Sequence, residues 1–196
     1  MKPYVIGFYG KSNTGKTTLI TEIIKQLADD GLRIANIKIS DKKIDIDKPG
    51  KDTYKYAKAG SKLVILSSAD ETDFMLKQKE ETNTIIERIK NFDEYDLIIV
   101  EGAKHKSITK IRLGDIEERE NTILTYEGDF EELIKIIKEE ILRRKNMNKT
   151  CLKVNGKKVP LSEFPNDLIK NTICGMLKSL KGVDKIKTVE IYFENE

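Results

Sequence analysis

The chain reads as an α/β protein: a mostly parallel sheet with helices on both faces, followed by a small C-terminal β-β-α-β unit. Three observations predict this. The apolar run Tyr4-Val5-Ile6-Gly7-Phe8-Tyr9 leads into a glycine-flanked loop and then an amphipathic stretch, the strand–loop–helix pattern of a parallel sheet. Further apolar runs then alternate with helical periodicity to about residue 144. Beyond residue 150 the composition changes, and Asn155-Gly156, a strong short hairpin signal, sits between two strand-like runs.

The loop is Gly10-Lys11-Ser12-Asn13-Thr14-Gly15-Lys16-Thr17, a G-x-x-x-x-G-K-T motif. Glycines at its ends allow backbone angles that side chains forbid, so successive N–H groups can surround phosphate. Lys16 is spaced to reach the β/γ-phosphates, and the Thr17 hydroxyl to hold Mg²⁺. After it, Leu19, Ile20, Ile23, Ile24 and Leu27 share one helical face, with Gly31 as a stop. The helix start would aim unpaired N–H groups at the ligand. The bland alternative is a glycine turn that merely caps a helix. With strand and helix in place, the pattern predicts a fold like that of P-loop NTPases.

Residues 33–39 read as the second strand, 53–60 as a short helix, 62–67 as another buried strand, and 80–92 as a helix carrying Ile85, Ile86 and Ile89 inward. Asp96-Leu97-Ile98-Ile99-Val100-Glu101-Gly102 is an apolar strand bracketed by acids. Residues 109–113 and 122–126 are short strands, and 129–144 form a strongly periodic helix. This gives a nucleotide-binding domain over 1–145, a linker over 145–150, and an appendage over 151–196. The appendage has strands at 151–154, 157–160 and 187–193 and a helix from about 162 or 165 to 181. About 45 residues make a marginal free-standing core, so docking on the main domain or on another copy is expected.

Composition narrows the classes of function. With 36 basic and 33 acidic residues the net charge is only +3, so no overall field argues for nucleic acid or membrane. No apolar run approaches transmembrane length and the N-terminus lacks a secretory h-region, which predicts a cytoplasmic protein. Cys151 and Cys174 stand far apart in no C-x-x-C arrangement and read as buried free thiols rather than a disulfide or metal site.

The loop from Ser40 to Asp52 leaves a strand on the ligand edge of such a sheet, so Asp41, Asp45, Asp47 and Asp52 are either Mg²⁺ contacts or a solvated acidic face. Glu101 ends its strand on that same edge. It is placed to meet the metal or orient an attacking water, against the alternative of an exposed loop acid. Asp96, at the opposite end, reads as a strand-boundary residue. His105 is the chain's single histidine; it is structural or a ligand contact, and Lys104 and Lys106 beside it could approach an anion.

The phosphate loop, the block Asp45-Ile46-Asp47-Lys48-Pro49-Gly50-Lys51-Asp52-Thr53 with Ala59-Gly60 after it, and residues 96–105 together resemble the MobB family of molybdopterin-guanine dinucleotide biosynthesis proteins. The resemblance covers residues 4 to about 126. It implies a GTP-binding adapter with weak GTPase activity, commonly dimeric, that assists a MobA-type guanylyltransferase in attaching GMP to molybdopterin. By position it implies that Gly10 to Thr18, including Lys11, Ser12, Asn13 and Thr14, hold the GTP phosphates, and that Thr17 with Asp47 or Asp52 and Glu101 serves Mg²⁺. It also puts Lys38 at the ligand edge. In hydrolysis, Lys16 would stabilise the γ-phosphoryl and a carboxylate, Glu101, would place the water. Many relatives carry K-H-x-H-H where this chain has Lys38-Ile39-Ser40-Asp41-Lys42. No N-K-x-D element occurs, so guanine is implied by the resemblance alone. The alternative is an ATP-dependent small-molecule kinase or ligase resembling dethiobiotin synthetase, which shares the pattern at Val100-Glu101-Gly102.

Overall fold

The computed structural model describes residues 3–44, 46–147, 151–182, 186 and 189–192. Two compact units divide the chain at residues 144 and 145. In the first, five strands form one wholly parallel sheet: β1 (Tyr4–Gly10), β2 (Ile34–Lys38), β5 (Leu97–Glu101), β6 (Thr109–Leu113) and β7 (Thr122–Tyr126), in the order β2-β5-β1-β6-β7. The central strand β1 is covered on both faces, which is why its sequence is nearly continuous in apolar residues.

Alternation along the strands sorts side chains to two cores. Tyr4, Ile6, Phe8, Leu97, Ile99, Ile111 and Leu113 face helices α1 (Lys16–Asp29) and α4 (Phe130–Met147), meeting Leu19, Ile20, Ile23, Leu27, Leu133, Ile134, Ile137 and Ile141. Ile37, Ile98 and Val100 face the other way, onto Ile86 of α3 (Thr82–Phe92) and onto Ala103 and Ile108. The β5–β6 connection crosses β1 on this second face without a helix. It fits because Gly7 has no side chain: a Cβ there would lie 2.3 Å from the Ala103 Cβ.

Between β2 and β5 the chain makes α2 (Asp52–Lys58), β3 (Leu63–Ser67), β4 (Thr72–Leu76) and then α3. Here the structure corrects the sequence reading. The run at 62–67 is not a buried strand of the main sheet but half of a separate antiparallel hairpin with β4, an element the sequence reading lacks. Val64 is its buried position, while Leu63, Ile65 and Leu66 are exposed. A continuous apolar run fits burial on both faces, but it fits equally a hairpin whose second apolar face is left open.

In the second unit, β8 (Leu152–Val154) and β9 (Lys157–Val159) form the expected hairpin, and α5 (Glu163–Lys178) follows. The two free thiols are not buried as expected: Cys151, next to β8, is exposed and Cys174 of α5 is half-buried. Asn155 and Gly156 both take positive φ, 50° and 75°, as a two-residue hairpin turn of this type requires. The expected linker is helical as far as Met147, where α4 ends; residues 148–150 lie outside the described residues. Of the closing strand expected at 187–193, residues 189–192 are described and form no strand, and the rest lie outside the described residues. Among the described residues no helix is long and apolar enough to cross a membrane.

Candidate functional site

The phosphate loop joins the last residue of β1 to the first turn of α1. Gly10 has no positive φ; its role is steric. A Cβ there would lie 2.4 Å from the Leu113 carbonyl oxygen and 3.0 Å from Thr14 Oγ1, because Gly10 pairs with Leu113 in the sheet. The left-handed positions are Asn13 (φ 64°) and Gly15 (φ 79°), the residues that turn the backbone inward.

Gly15 is the N-cap of α1. No side chain caps this end and no acid sits in its first turn, so its N–H donors and the positive end of its dipole face the loop unopposed. The Thr14 hydroxyl donates to the Lys11 carbonyl at 2.9 Å. Lys16 Nζ donates to that same carbonyl and, at 3.2 Å, to Thr14 Oγ1. The ammonium is thus held over the cradle by neutral acceptors, which an anion would outcompete. Lys11, Ser12, Asn13 and Thr18 are exposed around it.

Beside the helix start stands Glu101, the last residue of β5 and one of two buried charged residues among those described. It pairs in register with Phe8 on one side and Lys38 on the other. Its Oε1 accepts from the Thr17 hydroxyl at 3.1 Å, and Lys38 Nζ donates to both carboxylate oxygens, at 3.2 and 3.3 Å. Gly102 follows because the chain must turn there: φ is +82°, and a Cβ would lie 2.8 Å from the Ile39 carbonyl oxygen. A buried carboxylate next to a hydroxyl at the mouth of a phosphate loop is a donor set suited to a hard, oxygen-seeking cation such as Mg²⁺.

The other two acids expected at the metal make their contacts elsewhere. Asp47 Oδ1 accepts from the Thr53 hydroxyl at 3.0 Å, its Oδ2 is buried without a hydrogen-bond partner, and Lys77 Nζ lies 3.9 Å away. Asp52 accepts from Lys55 at 2.8 Å on the surface. Asp45 lies outside the described residues. No cluster of three or more acid, histidine or cysteine side chains capable of holding a metal occurs among the described residues. Asp41 pairs with Lys104, whose ammonium holds its carboxyl below the usual range.

His105 is built into its own loop. The Ser107 N–H donates to Nδ1 at 3.2 Å, the Ser107 hydroxyl lies 2.8 Å from the same nitrogen, and Nε2 lies 3.2 Å from the Asn83 Nδ2 at the start of α3. Asp96 is at the far end of β5, where Oδ2 accepts from the Arg33 N–H at 2.9 Å.

Sequence reasoning missed a polar strap behind the loop. The buried Tyr9 hydroxyl accepts from the Arg119 N–H at 3.0 Å and bonds Thr122 Oγ1 at 2.8 Å, while the Arg119 guanidinium lies over the Tyr9 ring. Arg119 also donates to the Ala103 carbonyl at 2.7 Å. Fully buried Lys110 donates to the carbonyls of Ile108 and Glu120 at 2.8 and 2.7 Å, and burial pushes its pKa down. Alternation in Thr109-Lys110-Ile111-Arg112-Leu113 puts Lys110 on the face opposite Ile111, but nothing local says that two loops will cover it.

The family model for molybdopterin guanine dinucleotide synthesis protein B, MobB, matches residues 5–139, which contain the phosphate loop, Lys38 and Glu101. The chain belongs to the MobB family. It is 27% identical over 229 residues, covering 95% of this chain and 96% of the relative, to a Methanocaldococcus jannaschii protein described as a molybdopterin-guanine dinucleotide biosynthesis adapter. It is 37% identical over 112 residues to the Escherichia coli adapter of that name, a match covering 56% of this chain and 64% of that one. The fold matches the crystal structure of Bacillus subtilis MobB with a TM-score of 0.56 at 17% identity, over 70% of this chain and 97% of that one. A MobB homolog from Bacillus stearothermophilus matches with a TM-score of 0.50 at 16% identity, over 74% and 100%.

Proposed function

We propose that this MobB-family chain is a GTP-binding adapter of molybdopterin-guanine dinucleotide, and hence molybdenum cofactor, biosynthesis, with at most weak Mg²⁺-dependent GTPase activity. The observation that carries the nucleotide part is the meeting of Thr17, at the uncapped start of α1, with buried Glu101. In this reading residues 1–145 are the nucleotide-binding domain. Gly10 to Thr18 hold the phosphates through backbone N–H groups, and Lys16 turns its ammonium from the Lys11 carbonyl to the β/γ oxygens. Thr17 and Glu101 hold Mg²⁺, whose chemistry there is neutralisation of phosphate charge. Asp47 and Asp52 join that set only if the 47–55 segment gives up the contacts described above. The choice of guanine rests on family membership.

The site fits an adapter better than an independent enzyme. In this reading Glu101, the carboxylate that meets Thr17, is taken up by the metal, which leaves it unavailable as a base for rapid hydrolysis. The partners in this reading are molybdopterin and a MobA-type guanylyltransferase, in the cytoplasm. Self-association into a homodimer is supported by the β3–β4 hairpin. Leu63 pairs with Leu76 and Ile65 with Phe74 on one open face, and Phe74 stacks edge-on with exposed Phe92 at 5.1 Å. The unit over 151–196 is an appendage whose role this reading leaves unassigned.

Calorimetric titration of GTP and of ATP, each with Mg²⁺, tests the proposal. GTP is expected to bind more tightly than ATP, and Lys16→Ala to lose binding while keeping its circular dichroism spectrum. A folded Lys16→Ala protein with undiminished GTP affinity refutes the phosphate-loop assignment. Preference for ATP shifts the function to a small-molecule kinase or ligase.

A further inference from the structure

Lys38 and Glu101 end neighbouring parallel strands in register, on the face that carries α1. The two partners differ in freedom. Glu101 is 8% exposed and pinned by Thr17, whereas the Lys38 side chain is 54% exposed on a flexible stem. The ammonium straddles the carboxylate, within 3.3 Å of both oxygens. Those oxygens are the ones a divalent cation would need, and an ammonium has no acceptor with which to share them.

We propose that Lys38 is the resident counter-ion of Glu101: it closes the carboxylate to free divalent cations and yields it when a nucleoside triphosphate brings the cation together with replacement anionic oxygens for the ammonium. The inference rests on the reading of Thr17 and Glu101 as the metal-holding pair. It makes metal entry dependent on nucleotide, and it makes Lys38 a positioning residue for the metal rather than a simple phosphate contact.

The test uses Mn²⁺ alone as the probe, titrated into full-length, nucleotide-free protein and followed by the electron paramagnetic resonance signal of free Mn²⁺. Lys38→Met is expected to bind Mn²⁺ on the order of tenfold more tightly than wild type, the scale of releasing a charge-assisted pair with one half-exposed partner. Lys38→Arg should stay near wild type, and Lys38→Met combined with Glu101→Gln should lose the gain. Lys38→Gln gives a second reading of the same effect should the methionine variant fold poorly. Unchanged Mn²⁺ affinity in both neutral variants, or a gain that survives Glu101→Gln, overturns the proposal. Failure of wild type to bind GTP with Mg²⁺ in a parallel titration removes the nucleotide reading instead, and leaves the Lys38–Glu101 competition to be decided by Mn²⁺.

Discussion

Replacing Gly10 by alanine separates two ways in which a glycine can serve a phosphate loop. The added Cβ would sit 2.4 Å from the Leu113 carbonyl oxygen, where an ordinary close carbon–oxygen contact is about 3.3 Å, an overlap of roughly 0.9 Å. Leu113 cannot retreat easily, because its backbone is paired with β1 on one side and with Tyr126 of β7 on the other. Overpacking of this kind costs about 1–3 kcal/mol, and rigid neighbours favour the upper end. With a urea dependence of about 2 kcal/mol per molar, the unfolding midpoint should fall by about 1 M. Gly15→Ala is the contrast. Its Cβ meets nothing within 4 Å but must take φ +79°, which costs about 1–2 kcal/mol and is largely recovered by asparagine. Equilibrium urea unfolding of Gly10→Ala, Gly15→Ala and Gly15→Asn measures both effects, and GTP titration measures the cradle. A Gly10→Ala midpoint equal to wild type would refute the steric argument.

Tyr4 supplies a pH prediction. Burial, and next the Glu140 carboxylate, push its phenol up to about 12, so the folded state favours the neutral form. Its contribution is therefore intact below pH 10 and lost as pH rises toward 12, a loss of about 2–3 kcal/mol. Its hydroxyl has no hydrogen-bond partner, so Tyr4→Phe should be at least as stable at pH 8 and should lose less stability between pH 10 and 12 in urea titrations. For the hairpin, Phe74→Asp should shift sedimentation toward monomer and leave the GTP affinity unchanged; an unaltered oligomer would remove the β3–β4 face from the interface.

The parts of the fold legible in sequence are those where period and burial coincide. β1, α1, β5, β6 and β7 each lie in the sheet or against it, so their apolar spacing reports their position. The hairpin was illegible because most of its apolar residues are open: of the run read as a buried strand only Val64 is buried, while Leu63 and Ile65 are surface, as is Phe74 on the strand that the reading lacks. At the site, the motif spacing gave Lys16 and Thr17, and the strand end gave Glu101, since one register residue decides which edge an acid occupies. Asp47 and Asp52 share a loop sequence with no period, and such a loop takes its contacts from Thr53, Lys55 and Lys77 instead. Lys110 and Arg119 were missed because each takes an acceptor from another loop, the Glu120 carbonyl for Lys110 and the Ala103 carbonyl for Arg119, which leaves no local pattern.

β2 and β5 lie side by side, so the whole stretch from Ile39 to Asp96 is an excursion that departs from one strand and comes back to its neighbour. Both doors of the excursion are bolted by backbone: Ile39 N–H to the Glu101 carbonyl at 2.9 Å, and Asp96 N–H to the Arg33 carbonyl at 2.8 Å. Lengthening such a closed detour costs little, because the entropy of loop closure grows only with the logarithm of length. The hairpin and its open apolar face can therefore change in length and sequence while the strands that aim Lys38 and Glu101 keep their register.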